Sequence, residues 1–145
     1  MGRIIGGVVL GYAVMAVAVM ATFTVAYFAM GAERAFQAGS YNVSGVWLVV
    51  STVLSAVAAM AGGWVAVAFG RSRRAPFILA IVVVVAGVVL ALPTLNAPPS
   101  DEVRTGEVGN TEAMMKAQQP PVVTILNPII GGIGVMLGAR LRKPD

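Results

Sequence analysis

The sequence predicts an all-α integral membrane protein with four transmembrane helices and both termini in the cytoplasm. Hydrophobic residues make up 58% of its 145 residues and charged residues only 11%, whereas soluble domains carry about 25% charged residues. The charged residues are clustered, and four stretches without a formal charge separate the clusters. Each stretch is long enough to cross a hydrocarbon core of ~30 Å, which takes about 20 helical residues.

The four predicted spans are residues 4–30, 43–69, 76–95 and 121–139, and we expect them to form one domain over residues 1–145. The first span resembles a secretory signal, because Arg3 precedes an apolar run. The apolar part of a signal is about 7–15 residues long, however, and this run continues to Met30. We therefore expect the first span to be retained as an anchor.

The basic residues predict the orientation of the bundle. Lysine and arginine are enriched in the cytoplasmic loops of membrane proteins. Four spans place seven of the ten basic residues at one end: Arg3, Arg71, Arg73, Arg74, Arg140, Arg142 and Lys143. This distribution predicts a multi-pass protein of a bacterial-type inner membrane. The net charge of +4 does not indicate a nucleic-acid partner, since that needs a basic patch on a water-exposed surface; the expected surroundings are the lipid bilayer.

The two outer connections differ in length. In the short one, Glu33 and Arg34 are predicted to extend the first helix by a turn. The other, residues 96–120, is too long for a simple turn and has prolines near both ends. Inside it, Thr111 precedes Glu112 and a run of good helix formers. This pattern predicts a short extramembrane helix of about two turns, capped by Thr111.

Small residues recur at helical spacing in three spans, which indicates close helix packing. Small side chains let membrane helices approach one another, and Gly7–Gly11 and Gly134–Gly138 are each GxxxG matches. The predicted small faces are Gly7, Gly11, Ala18 and Thr22 in the first span, Ser44, Ser51, Ser55, Ala58 and Gly62 in the second, and Asn127, Gly131, Gly134 and Gly138 in the fourth. We expect these three spans to form the tight contacts and the valine-rich third span to face lipid.

Three polar side chains, those of Thr22, Ser51 and Asn127, are predicted to lie in the outer half of the bilayer and to form one layer. An unpaired amide in hydrocarbon costs several kcal/mol, so we expect Asn127 to find a partner there. Pro128 removes a helical hydrogen bond to Thr124 and predicts a kink. Two interpretations stay open: these groups hold the bundle together, or they line a small polar cavity.

The sequence lacks the groups on which most catalytic and cofactor sites depend. It contains no cysteine and no histidine, so thiolate and imidazole ligands are missing, and no charged residue lies within a predicted span. We expect no enzymatic activity, cofactor or metal. The predicted function is a non-catalytic structural or accessory subunit that packs by its glycine-rich faces against its own copies or other membrane subunits. The alternative is a passive pore or carrier for a small solute, lined by Asn127, Thr22 and Ser51.

Overall fold

The computed structural model describes residues 1–96, 98 and 101–142, and this part of the chain is helical with no strand. Its helices are α1 (Gly2–Met30), α2 (Ala32–Ala35), α3 (Gly45–Gly70), α4 (Arg74–Asn96), α5 (Asn110–Lys116) and α6 (Pro121–Arg140). Four of these, α1, α3, α4 and α6, are long and apolar enough to cross a membrane. The prediction of an all-α chain with four such helices is therefore confirmed, with bounds within a few residues of those expected.

The ends of the long helices follow from local chemistry. Ser44 caps α3, since its hydroxyl accepts a hydrogen bond from the Trp47 backbone N–H at 3.1 Å. At the other end, Arg71 ends α3 in the left-handed conformation with φ 47°. The hydroxyl of Ser72 then accepts a hydrogen bond from the N–H of Arg74, the first residue of α4. The turn between α3 and α4 is thus short and carries Arg71 and Arg73, and Arg74 follows at the start of α4.

Two local predictions are wrong. Glu33 and Arg34 do not extend the first helix, because Gly31 adopts φ 74° and separates α1 from the four-residue α2. Thr111 does not cap α5: the helix begins one residue earlier, at Asn110, and Gly109 is in the capping position without a side-chain bond. At the first boundary the glycine is needed, because it adopts a positive φ without a steric penalty. Gly109 is extended, with φ −63° and ψ 155°, so it contributes only the absence of a capping side chain.

The four long helices form a bundle in which α3 lies between α1 and α6, while α4 packs along α6 and contacts α1 and α3. The expectation that the third span stays outside the tight contacts is wrong. Leu79 of α4 is fully buried, and the Val83 and Val84 side chains meet α6 at Gly131 and Gly132. Glycine on one helix is sufficient for close packing, because the partner's valine fills the space that the missing side chain leaves.

Residues 31–44 and 101–120 form a folded layer over one end of the bundle, which we name the loop layer. Isolated β-bridges join its two segments, Ser40 to Val103 and Asn42 to Gln118. An apolar cluster fills it: Tyr27, Ala32, Ala35, Phe36, Tyr41, Val43 and Ala113. The opposite end of the bundle, where α1 and α4 begin and α3 and α6 end, carries Arg3, Arg71, Arg73, Arg74, Arg140 and Arg142. We name it the basic end; the predicted Lys143 lies outside the described residues.

Candidate functional site

The three side chains of the predicted polar layer bond in different places. The Thr22 hydroxyl donates to the Ala18 carbonyl at 2.6 Å, and the Ser51 hydroxyl donates to the Leu48 carbonyl at 3.2 Å. Both hydroxyls are therefore satisfied on their own helices. Among the described residues, no hydrogen bond links Thr22, Ser51 and Asn127 to one another.

Asn127 has a partner just outside the start of α6. Its amide Nδ2 donates to Oε1 of Gln119 at 3.2 Å. The helix continues through Pro128, and the proline ring packs on α4, where a Cβ atom added to Gly87 would lie 2.6 Å from the proline Cγ. The amide thus connects α6 to the loop layer, and the proline connects α6 to α4. The kink at Pro128 stays a prediction.

The predicted glycines of α1 and α3 face each other at close range. A Cβ atom built on Gly7 would lie 2.7 Å from the carbonyl oxygen of Ala66. On Gly11 it would lie 2.7 Å from the carbonyl oxygen of Gly62, and on Gly62 2.7 Å from that of Gly11. Real Cβ atoms do not approach so closely. The backbones of α1 and α3 are therefore in direct contact, and no larger residue fits there without a shift.

The predicted glycines of α6 contact two neighbouring helices, α3 and α4. A Cβ atom on Gly134 would lie 2.9 Å from the Ala59 side chain of α3, and one on Gly138 would overlap the Met60 carbonyl. Gly131 instead faces α4, since its Cβ would lie 3.1 Å from Val83. The strip predicted as one surface is thus divided between α3 and α4.

Three glycines outside the predicted small faces make equally close contacts. A Cβ on Gly63 would overlap the carbonyl of Val135 in α6, and one on Gly132 would lie 2.7 Å from Val84. The third is Gly87, which receives the Pro128 ring. The pair Gly62–Gly63 held a usable signal, because successive helical residues point about 100° apart. Two adjacent glycines therefore give α3 two small faces, one for α1 and one for α6.

The loop layer contains a buried arginine that the sequence did not indicate. The Arg104 side chain is only 2% exposed, and its guanidinium donates to Glu33 at 3.0 Å and to the Gly106 carbonyl at 2.6 Å. It also lies 5.8 Å from the centroid of the Phe36 ring. Its buried Nε has no hydrogen-bond partner among the described residues. This arginine ties α2 to the segment that follows α4.

A second polar cluster lies on α5. The Tyr41 hydroxyl donates to Glu112 at 2.7 Å, and Lys116 lies 3.3 Å from Glu112 and 2.6 Å from Glu102. The hydrogen bond from Tyr41 holds the pKa of Glu112 below its ordinary value, and the same bond raises the pKa of Tyr41. The hydrogen bond with Glu102 raises the pKa of Lys116. The cluster therefore favours its charged carboxylate and ammonium forms together with a neutral phenol.

Between the bundle and the loop layer lies a cavity of about 260 Å³. Its lining includes Phe23, Tyr27, Phe36, Trp47, Asn110 and Gln119. The rings pack edge to face: the Tyr27 and Trp47 centroids are 6.2 Å apart at 90°. The Tyr27 hydroxyl donates to the Val108 carbonyl at 2.7 Å, and the Asn110 amide donates to Thr24 at 3.1 Å. Both bonds join α1 to the loop layer and fix the cavity's shape.

The described residues contain no group of three or more histidine, cysteine, aspartate or glutamate side chains that could hold a metal ion. Comparison with protein families, with curated proteins and with solved structures gives no match for this chain. The candidate site is a set of surfaces. They are the filled glycine contacts, the cavity beside Phe23 and Trp47, which we name the aromatic cavity, the exposed face of α1 around Tyr12, and the basic end.

Proposed function

We propose that this protein is a non-catalytic structural or accessory subunit of a bacterial-type inner membrane. In this proposal both termini and the basic end lie in the cytoplasm, and the loop layer with α5 lies outside. The support is the charge distribution: the basic end carries arginines within α1, α4 and α6 and directly after α3. The loop layer instead has three basic against five acidic residues, Arg34, Arg104 and Lys116 against Glu33, Asp101, Glu102, Glu107 and Glu112.

The proposal depends mainly on the exposed position of Tyr12 within a long apolar helix. Its side chain belongs to α1, which has the smallest buried share of the four long helices, and the residue is 45% exposed. Tyr12 is the eleventh residue of the helix, roughly 15 Å from its start at ~1.5 Å per residue. That depth is near the middle of a bilayer core of ~30 Å, whereas membrane tyrosines favour the interfaces. A phenol placed there gains from a hydrogen-bonding partner outside the chain.

The surface beside Tyr12 suits a second helix. Gly6 lies six residues earlier in α1 with open space around it, and Ala13 and Ala16 are exposed. Small residues of this kind permit close approach of a partner helix. The inward glycines, by contrast, are already filled within the chain. The proposed partner, another membrane subunit or a second copy, therefore packs on the outward face of α1.

Copurification with matched variants tests this proposal. The protein is extracted with its surrounding lipid, and its partners are identified by mass spectrometry. Tyr12→Phe deletes one intramembrane hydroxyl and should weaken partner recovery about threefold, since an interhelical hydrogen bond contributes about 0.6 kcal/mol on average. Thr22→Val deletes another hydroxyl of α1 and should leave recovery unchanged, because Thr22 bonds within its own helix. A monomer without partners, or equal effects of both variants, would contradict the proposal.

One observation favours the alternative of a small-solute carrier. Gln119 lines the aromatic cavity and also accepts the hydrogen bond from Asn127, so a polar group of the predicted layer lies next to a cavity. Below it, however, the described core is filled by apolar side chains, with Leu79 and Val135 fully buried. The carrier would show solute flux in reconstituted vesicles that Asn127→Leu abolishes while the fold stays intact; absence of flux in the unaltered protein would exclude it.

A further inference from the structure

A groove of about 600 Å³ runs between α4 and α6 on the surface of the bundle. Its floor is formed by Ala80 and Gly132, which are both buried. Its walls are exposed apolar side chains: Phe77, Ile81 and Val85 from α4, with Ile133 and Leu137 from α6. A volume of this size is within the ~300–1,000 Å³ range of small-molecule sites. The groove is therefore large enough for one flexible apolar chain.

The groove has the length of one lipid leaflet. On α6 its lining extends from Ile129 to Arg140, and on α4 from Phe77 to Val85. At ~1.5 Å per residue these stretches are roughly 16 Å and 12 Å long. Half of a hydrocarbon core of ~30 Å is about 15 Å. The length of the groove therefore matches an acyl chain that lies in one leaflet.

Positive charge lies where this apolar groove ends. Among the described residues, Arg140 is the one charged side chain in its lining, and it lies in the last turn of α6. Arg74 begins α4 three residues before Phe77 and therefore belongs to the same end. The first turn of α4 adds the positive end of its helix dipole. The phosphate of a lipid whose acyl chain lies in the groove would therefore lie close to these positive charges.

We propose that the groove between α4 and α6 binds one anionic phospholipid, with an acyl chain between the helices and the phosphate at Arg140. The lipid belongs to the leaflet at the basic end. This inference rests on the proposed membrane placement but not on the accessory role, so loss of partners and loss of lipid are separate outcomes. Basic sites between membrane helices are suited to anionic headgroups by the same electrostatics.

The headgroup is tested with a matched pair of arginines. The full chain is reconstituted in nanodiscs of equal phosphatidylglycerol and phosphatidylcholine, and retained lipids are counted by native mass spectrometry. Arg140→Gln should lower retained phosphatidylglycerol about fivefold, which is the effect of one basic residue near the membrane surface. Arg142→Gln removes the same charge two residues away, where the guanidinium lies 4.6 Å from the Trp64 ring centroid, outside the groove. It should leave retention unchanged.

The acyl chain is tested with a second pair on α4. Val85 and Val89 are equally exposed, at 56% and 55%, but only Val85 lines the groove. Val85→Trp should fill the groove and lower lipid retention several-fold, while Val89→Trp should retain the lipid. Equal losses in Arg140→Gln and Arg142→Gln would show general surface attraction and overturn the site. Equal retention of both lipids, undiminished retention in Val85→Trp, or displacement by glycerol phosphate alone would also overturn it.

Discussion

In the bundle the helices meet through glycines and backbone carbonyls, whereas the loop layer is joined by an arginine, ion pairs and aromatic rings. The Gly63 and Val135 backbones touch between α3 and α6, with no charge nearby in either span. In the loop layer, Arg104 reaches Glu33 across 71 positions of sequence. In lipid there is no hydrophobic driving force for helices to associate, so close packing must hold membrane helices together. The loop layer instead combines apolar burial with charge-assisted hydrogen bonds. The two regions should therefore respond to different changes.

The largest expected effect is in the bundle. Gly63→Val places a side chain where even a Cβ would overlap the Val135 carbonyl, and α3 and α6 must separate. Overpacking costs about 1–3 kcal/mol and more when backbone blocks relaxation, so we expect loss of the folded bundle in detergent. Thermal unfolding followed by circular dichroism measures it. The control is Gly6→Val on the open face of α1; a similar loss there would mean that valine itself, and not the contact, is harmful.

The next effect belongs to the loop layer. Arg104→Met keeps much of the buried volume but removes the bonds to Glu33 and Gly106. Because Glu33 is largely exposed, water compensates part of the loss, and we expect about 1–3 kcal/mol. Hydrogen exchange should rise in residues 31–44 and 101–120 and stay unchanged in the four long helices.

Arg34→Met provides the comparison for this variant, since Arg34 is an exposed arginine of α2, the helix that carries Glu33. It should leave exchange in the loop layer unchanged. If Arg104→Met loosened the bundle as strongly as the loop layer, the two regions would be one cooperative unit, and the comparison between them would fail.

A smaller effect is expected from pH, and again only in the loop layer. The pKa of Glu112 is lowered from its ordinary value of 4.5. Its contribution to the free energy of unfolding is therefore complete at pH values above 4.5, and it is lost as the pH falls through the lowered pKa. The raised pKa values of Tyr41 and Lys116 act in the other direction. Their contributions are complete at neutral pH and are lost as pH rises beyond the ordinary values of 10.0 and 10.5.

Exchange in the loop layer should accordingly be slowest at neutral pH, after correction for the intrinsic pH dependence of exchange. Glu112→Gln should remove the loss of loop-layer stability at acid pH, because glutamine does not titrate. Tyr41→Phe should make this acid-side loss of stability smaller, since the hydrogen bond from Tyr41 is the main cause of the lowered pKa of Glu112. A bundle that opened over the same acid range would contradict the assignment, because its spans contain no carboxylate.

These regions also differ in how far the sequence predicts them. Hydropathy and length are local properties, so all four long helices were predicted within a few residues. The helix that each glycine faces is not a local property of the sequence. Gly131 faces α4 and Gly134 faces α3, although the two glycines are only three positions apart. Arg104 resembles any loop arginine until residues 31–44 fold over it. The aromatic cavity likewise needs Phe23 and Trp47 of the bundle to meet Asn110 of the loop layer.

The smallest expected effect lies where the two regions meet, at Asn127 and Gln119. Asn127→Leu removes a 3.2 Å hydrogen bond that links α6 to the loop layer. Hydrogen bonds between side chains in membrane proteins contribute about 0.6 kcal/mol on average, so the loss should be of that order. A double-mutant cycle with Gln119→Leu separates the bond from the change in side-chain shape: a coupling near ~0.6 kcal/mol is expected. Zero coupling would mean that Asn127 bonds elsewhere, and a cavity or partner around this amide would then be the better explanation for its place in α6.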